Sequence, residues 1–192
     1  MPSNIEIKAR VRDFDQIRRR AEKLTDAPLE IIQQEDTFFN VPHGRLKLRA
    51  LDSKRAQLIY YTRRDQDGPK RSDYEIFETD DPDQLKSVLA AAYGMRGVVK
   101  KTRYLYLVGQ TRVHLDDVEG LGQFMELEVV LREGQSDAEG EKIADALMTS
   151  LGVERSDLLD GAYMDMIEKS SKVPGQKSKV PSQKSSMAPF DL

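Results

Sequence analysis

The chain of 192 residues is long enough for one well-buried domain, alone or followed by a tail. Charged residues make up 33% of it, yet the formal net charge is only -3, a balance that argues against a simple nucleic-acid binder. Without cysteine it forms no disulfide or thiol-based site, and without a membrane-length apolar run or a signal-peptide core we expect a soluble cytoplasmic protein.

The N-terminal stretch predicts a strand followed by a helix. Residues 5–12 alternate apolar with charged side chains, which is typical of a strand with one charged face. For this strand alone, a solvated charged face is the simpler interpretation. Asp13 can then cap a helix that runs to about Leu24.

The next part of the chain predicts strands joined by short turns, and then a second helix. These strands cover residues 29–40, 45–49, 57–63 and 72–79. Arg45, Lys47 and Arg49 give the second of them a basic face. Asp81 can cap the helix, and Gly94 ends it. A sixth strand over residues 97–108 then carries two basic side chains, Lys101 and Arg103, on one face.

Residues 111–131 predict a hairpin with one charged face and one apolar face. Arg112, His114 and Asp116 lie on the charged face of its first strand, and Glu126 and Glu128 on that of its second. The apolar face is assigned to Val113, Leu115, Val118, Met125, Leu127 and Val129. Three carboxylates on one face repel one another unless cations or basic side chains lie among them.

The rest of the chain predicts a third helix over residues 137–151, with Gly152 as its stop. From residue 170 the composition changes to serine, lysine and proline with a short imperfect repeat. We therefore expect one domain over residues 1–169 and a disordered tail over residues 170–192.

About eight mostly antiparallel strands and three amphipathic helices indicate an α+β fold. If the helices cover the apolar faces of the strands, the result is a β-barrel with a charged interior. Such an interior is costly unless its charges are paired or used. Arginine and lysine neutralise phosphate oxygens, and carboxylates hold Mg²⁺ or Mn²⁺. The residues alone leave a metal-polyphosphate tunnel and a plain solvated sheet as equal alternatives.

Four stretches, taken in order, resemble the CYTH family of class IV adenylyl cyclases, thiamine triphosphatases and inorganic triphosphatases. They are Asn4–Lys8, which is similar to an ExExK signature, Arg45–Arg49, Lys101–Arg103, and Asp116–Glu128 with its LGxFxExE segment. The resemblance spans roughly residues 3–168 and is greatest to the class IV cyclase-like branch. It implies an eight-stranded antiparallel tunnel that binds a triphosphate together with Mg²⁺ or Mn²⁺.

The resemblance also implies residue roles. The phosphate contacts would be Lys8, Lys47, Arg49, Arg63, Lys101, Arg103 and Arg112. The metal ligands would be Glu6, Asp116, Glu126 and Glu128, and the catalytic residues Lys101 and Asp116.

This chain departs from the family pattern at two positions. Asn4 replaces the first glutamate of the signature and brings no charge. Arg63 stands where a lysine is often expected, and the two differ in geometry. His114 shares the charged face of the hairpin, so we expect a packing or hydrogen-bonding role, with a general base as the alternative.

We therefore expect a metal-dependent hydrolase of inorganic, thiamine or nucleoside triphosphate. The alternatives are an adenylyl cyclase that forms cyclic AMP and pyrophosphate, a non-catalytic polyphosphate or nucleotide binder, and a solvated-sheet scaffold. The expected partner is a small-molecule triphosphate substrate, and we expect neither a nucleic acid nor a membrane as a partner. A homodimer is possible on this sequence.

Overall fold

Eight antiparallel strands form a closed barrel in the computed structural model, which describes residues 2–66 and 68–171. The strands are β1 (Ser3–Arg10), β2 (Glu30–Phe39), β3 (Arg45–Ala50), β4 (Ala56–Arg63), β5 (Lys70–Thr79), β6 (Met95–Val108), β7 (Thr111–Val118) and β8 (Gly122–Val130). Their order around the barrel is β1-β5-β4-β3-β2-β6-β7-β8. The predicted α+β fold with an eight-stranded antiparallel barrel is confirmed.

Four helices flank the barrel: α1 (Phe14–Leu24), α2 (Pro82–Tyr93), α3 (Asp137–Leu151) and α4 (Tyr163–Ser171). The predicted caps are present, since the Asp13 and Asp81 side chains each accept a hydrogen bond from a backbone N–H of the first turn. Gly152 ends α3 in the left-handed conformation, at φ 73°. In the described ranges, no helix combines the length and the apolar character that crossing a membrane requires.

The main hydrophobic core lies outside the barrel, between its wall and the helices α1 and α3. Every second residue of β1, β7 and β8 faces this layer, and the intervening residues face the barrel interior. The wall and helices contribute Ile5, Ile7, Val113, Leu115, Leu127, Ile17, Ala144 and Leu151 among others. Each large aliphatic side chain buried there stabilises the fold by about 1.5–3 kcal/mol.

The prediction for Val118 was wrong. It was placed on the apolar face with Val113 and Leu115, but it packs in a separate cluster with Phe124 and Tyr163. The reason is the two-residue period of a strand, which puts Val118 on the same side as the residue two positions before it.

The predicted tail over residues 170–192 lies outside the described residues, except for Ser170 and Ser171. These two residues form the end of α4. The domain boundary at residues 169 and 170 stays a prediction.

Gly140 lies where α3 contacts the barrel, and a Cβ there would be 2.6 Å from Ile5 Cγ1 and 2.7 Å from Leu131 Cδ2. Gly140→Val should lower the free energy of unfolding by about 2 kcal/mol, because it overpacks this contact. Glu141→Val adds the same side chain at an exposed neighbouring position, and should change stability by less than about 0.5 kcal/mol. Urea unfolding measures both, and equal stability of the two variants would contradict the expectation.

Candidate functional site

The inward-facing side chains of the strands line one cavity inside the barrel. All seven basic residues predicted to contact phosphate lie on its wall: Lys8, Lys47, Arg49, Arg63, Lys101, Arg103 and Arg112. Among the described residues the carboxylates on that wall are Glu6, Asp36, Glu126 and Glu128. Cations therefore outnumber carboxylates, and the wall attracts an anionic ligand.

Glu126 and Glu128 on β8 are each paired with basic side chains of neighbouring strands. Lys8 Nζ lies 2.9 Å from Glu126 Oε1, and Arg103 Nη2 lies 2.6 Å from Glu126 Oε2. Arg112 Nε donates to Glu128 Oε2 at 2.8 Å. Strand register produces the Lys8 and Arg112 pairs, because β8 lies between β1 and β7 with Lys8 directly across from Glu126 and Arg112 directly across from Glu128. Arg103 reaches Glu126 from β6, which is one strand further away. The pairing offsets the desolvation of both signs of charge.

Asp36 forms a second paired group on the opposite side of the barrel, and the sequence analysis missed it. Its carboxylate lies 3.0 Å from Lys47 Nζ and 3.0 Å from Arg49 Nε. Burial raises the pKa of Asp36, but Lys47 and Arg49 hold it well below its usual range. Burial, with Arg49 adding to it, lowers the pKa of Lys47 to about 8. Alternation along β2 could have indicated that Asp36 faces the interior, since it lies two residues before Phe38, which lines the cavity.

Asp116 is fully buried and does not lie on the cavity wall. It accepts hydrogen bonds from Lys101 Nζ at 2.9 Å, from Arg103 Nε at 2.7 Å and from the Tyr163 hydroxyl at 3.0 Å. Burial raises its pKa, but Arg103 and Lys101 hold that pKa well below its usual range. This geometry supports a role in orienting Lys101 and Arg103. The metal-binding and catalytic roles of Asp116 stay predictions.

A histidine and two carboxylates lie together on the β7–β8 side of the interior. One ligand atom from each of His114, Glu126 and Glu128 falls within 4.8 Å of the others. Burial, followed by the charge of Arg103, lowers the pKa of His114 to about 3, so its ring is neutral near pH 7. Carboxylate oxygens and a neutral imidazole are suitable ligands for a divalent metal ion. Glu6, directly across from Glu128 in β1, is instead paired with Arg63.

Three further interior residues were missed or undervalued by sequence reasoning. Tyr163 of α4 places its ring 3.5 Å from Lys8 Nζ, and no strand pattern signals it. Lys70 is 2% exposed and donates to two backbone carbonyls; its alternation with Ser72 could have revealed its direction. Asn4 lines the cavity, and its buried Oδ1 has no hydrogen-bond partner in the described part of the chain.

A closed barrel with amphipathic helices packed on its outside and paired charges inside defines a tunnel-type protein suited to an anionic ligand. The chain belongs to the CYTH domain family, whose model matches residues 3–163. Proteins of this family are metal-dependent enzymes that act on triphosphates.

Individual relatives agree with this assignment. The adenylate cyclase CyaB of Aeromonas hydrophila is 27% identical over 183 residues, covering 90% of this chain and 93% of the relative. The solved PH1012 protein of Pyrococcus horikoshii superposes with a TM-score of 0.74 and 28% identity, covering 84% and 98%. A candidate adenylyl cyclase of Hippeastrum, described as having a dominant triphosphatase activity, has a TM-score of 0.62 and 15% identity, covering 90% and 97%. That last likeness shows the fold alone.

Asp116→Asn should lower the free energy of unfolding at pH 7 by about 3 kcal/mol, because Lys101 would lose its buried counter-charge and Arg103 would keep only Glu126. Asp117→Asn, at the exposed position beside it, makes the same change on the outer face and should be nearly neutral. Chemical denaturation of the two variants measures the difference. A loss below about 0.5 kcal/mol for Asp116→Asn would show that the group does not hold the two cations.

Proposed function

We propose that this protein is a divalent-metal-dependent hydrolase of a triphosphate compound, either inorganic, thiamine or nucleoside triphosphate. The observation that carries the proposal is the convergence of seven basic side chains and four carboxylates on one cavity of a CYTH barrel. Phosphate oxygens bind arginine and lysine, while carboxylates bind Mg²⁺ or Mn²⁺. The two sets of ligands lie side by side in this interior.

Ligand binding would exchange partners within the ion-pair network. The cavity measures about 120 Å³, and ligand sites usually measure about 300–1,000 Å³, so side chains on its wall would have to move when a triphosphate binds. Phosphate oxygens would replace carboxylates as partners of Arg103 and Lys8, and Glu126 would then be free to bind metal. A divalent ion supplies neutralisation of phosphate charge and activation of water. Lys47, Arg49 and the other cations would bind and orient the phosphate chain.

Adenylate cyclase activity is the second candidate function, because the relative from Aeromonas hydrophila carries that name. One part of the cavity wall, formed by Ile59, Tyr61 and Ile76, has the apolar character that a nucleoside needs. A non-catalytic binder is the third candidate, and Asn4 motivates it because it removes one carboxylate from the family signature. Hydrolysis requires the fewest additional groups, since it needs only water and a bound phosphate chain.

Glu126→Gln should lower turnover at least about 100-fold with Mg²⁺ or Mn²⁺, since it removes a carboxylate from the proposed metal site. Inorganic triphosphate, thiamine triphosphate and ATP are offered in parallel, and phosphate, pyrophosphate and cyclic AMP are quantified. Glu75→Gln, exposed on the outer face of β5, is the matched control and should keep wild-type turnover. Melting temperatures of both variants separate lost chemistry from lost folding.

The products distinguish the three candidates. Phosphate release that depends on Glu126 supports the hydrolase and ranks its substrates. Cyclic AMP with pyrophosphate assigns the cyclase reaction instead. If the wild-type protein binds triphosphate without turnover, both enzyme hypotheses are wrong and the protein is a non-catalytic binder.

Triphosphate affinity should fall as the pH rises above about 8, because Lys47 has a lowered pKa and loses its charge there. Below that pH the ammonium is charged and binds phosphate; above it, affinity should fall by up to about tenfold per pH unit for one proton. Lys47→Arg stays charged throughout, so its affinity should vary less between pH 7 and 9.5. Calorimetry measures triphosphate affinity against pH for both proteins. Ionisation of the ligand affects both profiles equally, so a difference between them reports on Lys47. Parallel profiles would exclude Lys47 from phosphate binding.

A further inference from the structure

We propose that His114 is a metal ligand that joins Glu126 and Glu128 in a mixed nitrogen and oxygen site. Such a site selects divalent transition-metal ions such as Mn²⁺ over Mg²⁺. This inference rests on the proposed function, because Glu126 and Glu128 line the same cavity, while His114 is buried beside them and is not on the cavity wall. It adds a nitrogen donor to the all-oxygen ligand set that the family resemblance implies.

His114 is held in place by the β7–β8 hairpin. It pairs directly across from Glu126 in the register of the two strands, and Glu128 lies two residues further along β8. Because residues two apart share a face, both carboxylates lie beside the imidazole. The ring is 3% exposed, so the fold and not solvent determines its orientation.

The Nδ1 atom of His114 is buried and has no hydrogen-bond partner among residues 2–66 and 68–171. Leaving such a buried atom unsatisfied is unfavourable, because it has lost its hydrogen bonds to water without replacement. Its nearest carboxylate oxygen is Glu128 Oε1, at 3.8 Å, which is too far for a hydrogen bond. A ligand between these two atoms would satisfy both.

The Glu128 oxygen that faces His114 is the one that does not accept the hydrogen bond from Arg112. Arg112 Nε donates to Oε2 of Glu128, so Oε1 is directed at the imidazole. Two atoms that each lie about 2.1 Å from one metal ion are at most about 4.2 Å apart. The 3.8 Å separation of His114 Nδ1 from Glu128 Oε1 already meets this limit. Glu126 also lies close enough to join, since all three ligand atoms fall within 4.8 Å, but it would have to give up Lys8 or Arg103 as a partner.

The nitrogen donor decides which metal the site favours. Carboxylate, carbonyl and water oxygens suit both Mg²⁺ and Mn²⁺, whereas imidazole nitrogen is a ligand of transition-metal ions, the series to which Mn²⁺ belongs and Mg²⁺ does not. An all-oxygen site at Glu126 and Glu128 would discriminate little in favour of Mn²⁺. Adding His114 should therefore raise affinity for Mn²⁺ more than for Mg²⁺.

The test uses Mn²⁺ bound to tag-free protein, measured by pulsed electron paramagnetic resonance, which detects a coordinated imidazole nitrogen by its coupling to Mn²⁺. The chain contains two histidines, and His43 is exposed in the turn before β3. His43→Gln is therefore a matched control for His114→Gln. Nitrogen coupling is expected in the wild type and in His43→Gln, and not in His114→Gln.

Metal titrations supply the second readout. His114→Gln should weaken Mn²⁺ binding at least about tenfold, since even loss of an outer partner of a metal ligand costs about 10–100-fold. Mg²⁺ affinity should change less, so the preference for Mn²⁺ should fall. Bound Mn²⁺ without nitrogen coupling in the wild type overturns the role of His114 and leaves the metal-dependent hydrolase intact. No Mn²⁺ or Mg²⁺ binding at all, with or without triphosphate, overturns both.

Discussion

The structure depends on the pairing of opposite charges inside the barrel. A lone charge there would cost several kcal/mol, and neighbouring strands avoid this cost by presenting opposite signs to one another. Lys8 on β1 faces Glu126 on β8, and Arg103 on β6 reaches both Glu126 and Asp116. These pairs stabilise the barrel, and the charged groups of the cavity wall are the ones proposed above to bind phosphate and metal ions.

The apolar layer outside the barrel offsets the free-energy cost of burying charged side chains in its interior. Ile5, Ile7 and Leu127 pack against helices α1 and α3, so hydrophobic stabilisation resides in the outer layer. The close approach of Gly140 to Ile5 fixes α3 against the wall. The outer layer stabilises the barrel wall, so the side chains on its inner face can be charged and are still held in position. Binding residues on such strands are held more accurately than residues on loops.

Helix α4 contributes a residue to the ion-pair network of the site. Tyr163 places its ring against Lys8 Nζ and donates a hydrogen bond from its hydroxyl to Asp116, so one residue of α4 contacts a cation and an anion of the network. Arg45 and Arg96 hold this helix to the barrel through Asp165. The position of Lys8, and through Asp116 that of the neighbouring cations, therefore depends on a helix more than 150 residues away along the chain.

The sequence by itself determined the strands, the helices α1 to α3 and the charged side of β1, β3, β6, β7 and β8, because a period of two assigns every second residue of a strand to one face. This is why the direction of Lys101 and Arg103 into the interior could be predicted. The sequence did not predict α4 or the charged side of β2 that carries Asp36. Strand order, register and the docking of α4 were decided only by the tertiary structure, because they join residues that are distant in the chain. Periodicity could not show that Asp116 would be covered by Tyr163 and excluded from the cavity wall. Nor could it show that the Nδ1 atom of His114 would be buried without a hydrogen-bond partner in the described structure, since that depends on which side chains of β6 and β8 surround it.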